Sequence, residues 1–140
     1  MSRLLVIFAG LGKPGSFGAV FTLGFILCLL HAVQGVAADH EELRREGARH
    51  YGAGRYFQAI EAFEKALASA PETDRDSIKG DLAHALAGLG FEYLSESEGG
   101  MAEETFRKAI GISEDYYANF GLGYLFFMRR EDGEARTYLL

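Results

Sequence analysis

The histidines after residue 38 are the side chains best suited to bind a metal ion. His40 is followed by Glu41, which is how the metal-binding helix of a zinc protease begins, but that helix carries a second histidine four residues after the first. Arg44 occupies that position. The sequence does not support the zinc motif, and we interpret His40 as an exposed residue at the start of a helix.

His50 and His84 fall on different predicted helices that could face a common surface. We favour histidines that are solvated or line a groove. A metal-binding or enzymatic protein that uses His50 and His84 is the alternative from another class of function.

Neighbouring acidic residues occur at three places, and paired carboxylates are the catalytic groups of glycosidases. The pairs are Glu41 with Glu42, Glu96 with Glu98, and Glu103 with Glu104. Adjacent residues of a helix point in different directions, so these carboxylates do not converge on one bond. No serine, cysteine or lysine has a recognisable activating neighbour in the sequence. We expect no catalytic residues, no cofactor and no metal ligands, and therefore a protein that is not an enzyme.

The first 38 residues have the organisation of a targeting segment. The run from Phe17 to Ala38 is 22 residues without a charge; Arg3 and Lys13 precede it, and small residues end it. This order predicts a secretory signal peptide that is cleaved before Asp39, with export to a bacterial periplasm, the envelope or the extracellular space. About 20 apolar residues also suffice to cross a bilayer, so an uncleaved membrane anchor is the alternative. In both cases the remaining chain lies outside the cytoplasm.

Three glycines in this leader formally satisfy the fingerprint for dinucleotide binding. Gly10, Gly12 and Gly15 follow a strand-like apolar run. The fingerprint requires a helix directly after the glycines and an acidic residue at the end of a second strand. Pro14 stands where the helix should begin, and Asp39 opens a helix instead. We do not expect nucleotide binding.

The chain after the leader is acidic and contains no cysteine. It carries 12 basic and 20 acidic residues, a net charge of −8, which is unsuited to nucleic-acid phosphates. The single cysteine, Cys28, lies within the leader, so no internal disulfide can form in the exported part. Its stability must come from packing.

The segment EGARHYGAGRYFQAIEAFEKALASAP, residues 46–71, has the spacing of two antiparallel helices that pack closely. Gly47 removes a side chain where the helices cross, and Ala59 does the same from the second helix. Phe63 fills the space between neighbouring helices, and Pro71 ends the unit. Such a hairpin buries its apolar face only when another hairpin stacks on it.

The same spacing recurs twice. The corresponding positions are Gly90, Ala102, Phe106 and Ala109 in a second unit, and Gly123, Ala135 and Leu139 in a third. This pattern resembles the tetratricopeptide repeat family over essentially the whole chain after the leader. The units span about residues 40–73, 74–114 and 115–140, the last one incomplete. The resemblance implies an all-α fold, an α-α superhelix of helical hairpins that follows an apolar leader helix.

Apolar periodicity and breaking residues predict six helices. They cover residues 40–53, 56–70, 75–94, 100–112, 115–130 and 132–140. We expect a turn at Gly99-Gly100 and an N-cap at Thr73 or Asp74, whose side chains can accept a hydrogen bond from a free backbone N–H.

The second unit is longer than the third. The interval from Ala59 to Ala102 is 43 residues, whereas that from Ala102 to Ala135 is 33. A helical stripe of Ile78, Leu82, Leu86 and Leu89 runs through the added segment. We therefore expect about two and a half added turns, and a longer third helix.

The first helix of each stacked hairpin lines the concave side of such an array, where partner segments usually lie. By the resemblance, this side would present a mostly aromatic and aliphatic groove without the basic set that some family members use to grip a carboxylate. The predicted partner-binding residues are Arg44, Tyr51, His84, Phe91, Tyr117, Tyr124 and Phe127. Packing against a neighbouring helix is the alternative role, above all for Phe91 and Phe120. The expected partner is another protein or peptide segment, without nucleic acid, and with membrane contact only through the N-terminal segment.

The last residues of the chain contain an apolar group without a polar helix after it. Phe126, Tyr138, Leu139 and Leu140 could form an exposed patch. Such a patch predicts a partner or a homo-oligomer through the third unit, and a truncated reading frame would look the same.

Overall fold

Six helices follow one another through residues 39–139, the part of the chain that this computed structural model describes. Helix α1 is described over residues 39–52. The others are α2 (Tyr56–Ser69), α3 (Glu72–Ser95), α4 (Gly99–Ile112), α5 (Tyr116–Met128) and α6 (Asp132–Leu139). Every regular element in these residues is helical, which confirms the predicted all-α class and its superhelix of hairpins.

Helix α3 is the longest of the helices from α2 to α6, with 24 residues, as the added spacing between the first two units predicts. Ile78, Leu82, Leu86 and Leu89 are all buried, so the added turns continue one stripe of the core. The helix contacts α2, α4 and α5. It is the common support for the hairpins on either side of it.

Glycine and aromatic residues set how closely the helices pack. A Cβ atom added at Gly47 would lie 2.6 Å from the Phe63 ring, and one at Gly90 would lie 2.5 Å from the Phe106 ring. A Cβ at Gly121 would also collide with Phe106. Phe106 is therefore held between backbones of α3 and α5, and it is fully buried. The predicted crossing points at Gly47 and Gly90 are confirmed.

The turns that close the first helix of each hairpin share one geometry. Gly54, Ser97 and Arg130 have φ values of 70°, 67° and 62°, in the left-handed region. The residue after each donates its backbone N–H to a carbonyl five residues earlier, at His50, Tyr93 and Phe126 respectively. This pair of features is the Schellman motif, which satisfies carbonyls at the end of a helix. The same turn geometry therefore recurs in all three hairpins, although the left-handed residue is of a different type in each.

Two local predictions are wrong. Gly99-Gly100 is not a turn, because α4 begins at Gly99 and the turn lies at residues 96–98. Helix α3 begins at Glu72, after Pro71, so neither Thr73 nor Asp74 is its N-cap, and no side-chain cap is present. Pro71 takes the N-cap position with extended backbone, and its side chain has no atom that could accept a hydrogen bond from the first turn.

The apolar patch predicted at the end of the chain is less exposed than expected. Phe126 is buried and stacks on Tyr138, with ring centroids 5.8 Å apart, so it is not exposed. Leu139 packs against Gly123 but remains 46% exposed. Only the outer part of the predicted patch is therefore accessible among the described residues.

The predicted leader lies outside the described residues, with Cys28 and the three glycines of the dinucleotide fingerprint, and so does Leu140. Within residues 39–139, no helix combines the length and the apolar character that a membrane span requires.

Candidate functional site

Helices α1, α3 and α5 contribute side chains to one surface, here called the α1–α3–α5 surface. The His84 ring of α3 lies between two tyrosines, 5.1 Å from the Tyr51 centroid on α1 and 4.9 Å from the Tyr117 centroid on α5. Tyr51 also meets the edge of Tyr56, at 5.7 Å. Three of the predicted partner-binding residues therefore form one aromatic cluster that joins the three hairpins.

Asp115 holds His84 in this cluster. One carboxylate oxygen lies 3.1 Å from His84 Nδ1, and the other accepts a hydrogen bond of 2.8 Å from the Ala118 backbone N–H. Asp115 is thus the N-cap of α5 and the acceptor for His84 at once. Since α5 begins at this cap, the position of its aromatic residues is tied to α3.

Arg44 of α1 adds a charged side chain to the α1–α3–α5 surface, and it is hydrogen-bonded to α3. Its Nε donates to Asp81 at 2.6 Å, and its Nη2 donates to Ser77 at 2.7 Å. A groove of about 650 Å³ runs between α1 and α3, lined by Arg44, Ala48, Tyr51, Asp81 and His84 among others. The guanidinium is already neutralised by a carboxylate, so it is poorly placed to grip a partner's carboxylate.

The exposed side of α5 carries a row of parallel rings, here called the α5 aromatic row: Tyr116, Phe120 and Tyr124. Successive centroids are 6.4 Å apart and the ring planes are within 16° of each other. The side chains are 73%, 44% and 43% exposed. Residues four apart lie on the same face of a helix, which is why three rings align.

Phe91 and Phe127 lie at the margins of this row. Phe91 is half-buried, meets the edge of Phe106 at 5.1 Å, and lies 6.5 Å from Phe120. Phe91 therefore connects the row to the buried Phe106. Phe127 is exposed and lines a depression with Asp132, Arg136 and Leu139 of α6. The predicted residues are thus divided between a central cluster, a supporting position and an outer edge.

Three residues of this surface are not among those predicted from the sequence. Tyr116 starts the aromatic row, and its spacing of four residues from Phe120 was the signal that could have revealed it. Asp115 precedes the helix, where an aspartate favours capping. Asp81 gives no comparable signal, because its pairing with Arg44 joins residues that are 37 apart in the chain.

The three histidines within residues 39–139 occupy different environments. His84 faces Asp115, whereas His50 Nε2 lies 3.7 Å from Glu46 on its own helix. His40 is only 2% exposed, which corrects the interpretation of an exposed helix start. Its Nε2 lies 3.0 Å from Asp74, so the buried ring joins the start of α1 to the start of α3.

Ligand atoms of His40, Glu41 and Asp74 lie within 4.8 Å of one another, the one such group of three in residues 39–139. The hydrogen-bond contact between His40 and Asp74 accounts for this proximity. It does not involve His50 or His84, the pair considered from the sequence.

Comparison with known proteins returned one family. Residues 40–73 match the tetratricopeptide repeat model, which covers the α1–α2 hairpin and about a quarter of the chain. Searches of curated proteins and of solved structures each returned no significant match. The match and the stacked hairpins support the tetratricopeptide resemblance, and they indicate a module for protein–protein interaction.

Proposed function

We propose that this protein is a non-enzymatic adaptor or scaffold that binds a segment of another protein across the α1–α3–α5 surface. The observation that carries the proposal is the continuous array of rings from Tyr51 through His84 and Tyr117 to the α5 aromatic row. Contiguous exposed apolar patches often mark interaction sites, and aromatic side chains supply large contact areas at low entropic cost. A partner segment would cover these rings.

The polar groups of the surface favour apolar recognition over a carboxylate clamp. Arg44 is paired with Asp81, and His84 is paired with Asp115. Neither group has to find a partner outside the chain. They hold the helices at a fixed spacing, so the surface is organised before binding and loses little entropy when a segment docks.

The proposal includes export through the N-terminal leader. The order of basic, apolar and small residues supports a signal peptide, and the length of the apolar run also fits a retained anchor. Mass spectrometry of the protein recovered from cells separates these two forms. An N-terminus at Asp39 supports an exported soluble adaptor, whereas an intact leader supports a membrane-anchored scaffold.

Replacement of two aromatic residues tests the binding surface. We expect the double variant Tyr124→Ala and Phe127→Ala to lose most chemically crosslinked partner in a pull-down from the native cell. Helical content measured by circular dichroism should not change, because both side chains are exposed. The matched control is Phe57→Ala with Met101→Ala, two exposed apolar residues on α2 and α4. Equal capture by the test variant and the wild type would refute this surface.

A further inference from the structure

The α5 aromatic row belongs to a helix without charge. No acidic or basic residue occurs between Tyr116 and Met128, although 24% of the chain is charged. The row therefore offers π-systems and hydroxyl groups but no side chain that could form an ion pair with a partner. Any attraction beyond apolar contact must come from the rings and from charges around the helix.

The charges next to the start of the row are negative, because Glu114 and Asp115 precede α5. Past the end of α5, Arg129 and Arg130 are followed by Glu131 and Asp132. Arg129 is engaged with Glu103 at 2.5 Å, so it contributes little free positive charge. The unit after residue 38 has a net charge of −8, so its overall field attracts cations.

Tyr51 in the aromatic cluster is held in its uncharged form. Burial raises the pKa of its hydroxyl above the ordinary value, and Tyr56, Asp115 and Tyr117 add to the increase. The hydroxyl therefore stays protonated and adds no charge to the surface at neutral pH.

An arginine side chain suits an acidic surface with exposed parallel rings. Its guanidinium is planar and permanently charged, and it stacks on aromatic faces more readily than an ammonium group does. The molecule already contains one such contact, since the Arg107 guanidinium lies 5.7 Å from the centroid of Phe126. The same chemistry is available to a partner at the exposed rings.

We infer that the partner segment carries arginine, and that its guanidinium groups stack on Tyr116, Phe120 and Tyr124. The inference rests on the proposed function, because it names the chemical class of segment that the same surface would bind. It commits to a basic protein segment, and an acidic or purely apolar segment is an opposing outcome of the test.

The test uses four labelled peptides of equal length, in which glycine and serine alternate with arginine, lysine, citrulline or glutamate. Citrulline keeps the planar shape of arginine and lacks its charge. Fluorescence anisotropy is measured with the full chain in a non-ionic detergent at low salt. We expect the arginine peptide to bind most tightly, lysine next, and citrulline and glutamate more weakly by at least tenfold.

Replacement of Phe120 and Tyr124 by alanine leaves the net charge unchanged. We expect it to weaken binding of the arginine peptide roughly tenfold, while Phe57→Ala has no effect. Equal affinity for arginine and lysine, or for arginine and citrulline, would overturn the inference. So would unchanged binding by the double variant, because attraction by net charge alone would then explain the affinity.

The inference and the proposed function can fail separately. If the arginine peptide does not bind but Tyr124 and Phe127 are still needed to capture the native partner, the surface is correct and the class of segment is wrong. If capture is also independent of Tyr124 and Phe127, the proposed function fails too.

Discussion

The α1–α2 and α5–α6 hairpins have similar interiors and different surfaces. In one, Gly47 lies against Phe63, and in the other Gly123 lies against Leu139. Both first helices end in a left-handed residue, Gly54 or Arg130. Their exposed faces diverge: the arginines of α1 form ion pairs, whereas α5 carries an uncharged row of rings. Packing constrains the interior of every hairpin, and the surface is free to specialise.

The family match follows the interior packing of the hairpins and not their exposed surfaces. It covers residues 40–73, where the interior pattern is most regular, and the aromatic row lies beyond it. The hairpin most readily assigned from sequence is thus not the one with the most accessible aromatic surface. The predictions that follow separate interior positions from surface positions, and they begin with the largest expected effect.

Replacing one buried and one exposed phenylalanine by alanine should give the largest difference in stability between an interior and a surface position. Phe106→Ala should lower the free energy of unfolding by about 4 kcal/mol, because the fully buried ring fills the space between Gly90 and Gly121. Phe120→Ala should lower it by only about 1 kcal/mol, since 44% of its side chain is exposed. Urea unfolding measures both values. Equal losses would mean that the α5 aromatic row packs the fold and is not a free surface.

Alanine at two glycines of α3 tests whether close helix packing occurs only at the crossing points. Gly90→Ala should cost about 2 kcal/mol, because its Cβ would lie 2.5 Å from the Phe106 ring. Gly80→Ala should gain about 0.5–1 kcal/mol, because its Cβ would meet nothing and alanine favours helix. Chemical denaturation of the two variants gives the comparison. A change of the same sign at both positions would contradict the packing argument.

Glycine at the left-handed turn positions after α3 and α5 should raise the stability of the fold. Ser97→Gly and Arg130→Gly should each raise stability by roughly 0.5–1 kcal/mol, because left-handed backbone is costly for residues with a Cβ. The converse change, Gly54→Ala, should lower it by about 1 kcal/mol. Thermal unfolding should show shifts of a few degrees in these opposite directions. A lower melting temperature for both glycine variants would show that the two side chains stabilise their turns.

The smallest expected change in stability concerns the ion pair between Glu103 of α4 and Arg129, which directly follows α5. A hydrogen bond from Arg129 lowers the pKa of Glu103 below its ordinary value; burial acts against this, and Arg107 adds to the lowering. A lowered folded-state pKa gives stability that is present above the unfolded pKa and is lost as pH falls through the folded value.

Glu103→Gln should therefore cost less than about 1 kcal/mol at pH 7. Its stability should also fall less than that of the wild type as the pH is lowered below about 4.5. Urea midpoints at pH 7 and in the acidic range test this. A steeper loss in the variant would give the wrong sign and refute the assignment.

Helices and interior contacts could be predicted from the sequence because they depend on residues that recur. Apolar periodicity located all six helices within three residues at each end, and the small residues located the crossings at Gly47 and Gly90. The turn at Ser97 was missed because local composition favoured Gly99-Gly100, whereas hydrogen bonding selected an earlier position. Intrinsic preference is a weak guide when neighbouring helices determine where a turn must lie.

The site was predicted less completely, since it depends on contacts between distant residues. Tyr51, His84 and Tyr117 were named individually, but their assembly around Asp115 requires the packing of three helices. The burial of His40 similarly depends on Asp74, 34 residues away. Spacing within one helix identifies a face, and only the fold shows what lies opposite that face.

We propose that a partner segment lies on the α5 aromatic row and not elsewhere on the molecule. A photo-crosslinking amino acid at position 120, compared with one at position 57, tests it most directly in the cell that makes the protein. We predict crosslinks to an arginine-bearing segment of one protein from position 120, and none to that segment from position 57 on α2. Crosslinks to the same segment from both positions, or from position 57 alone, would contradict the account.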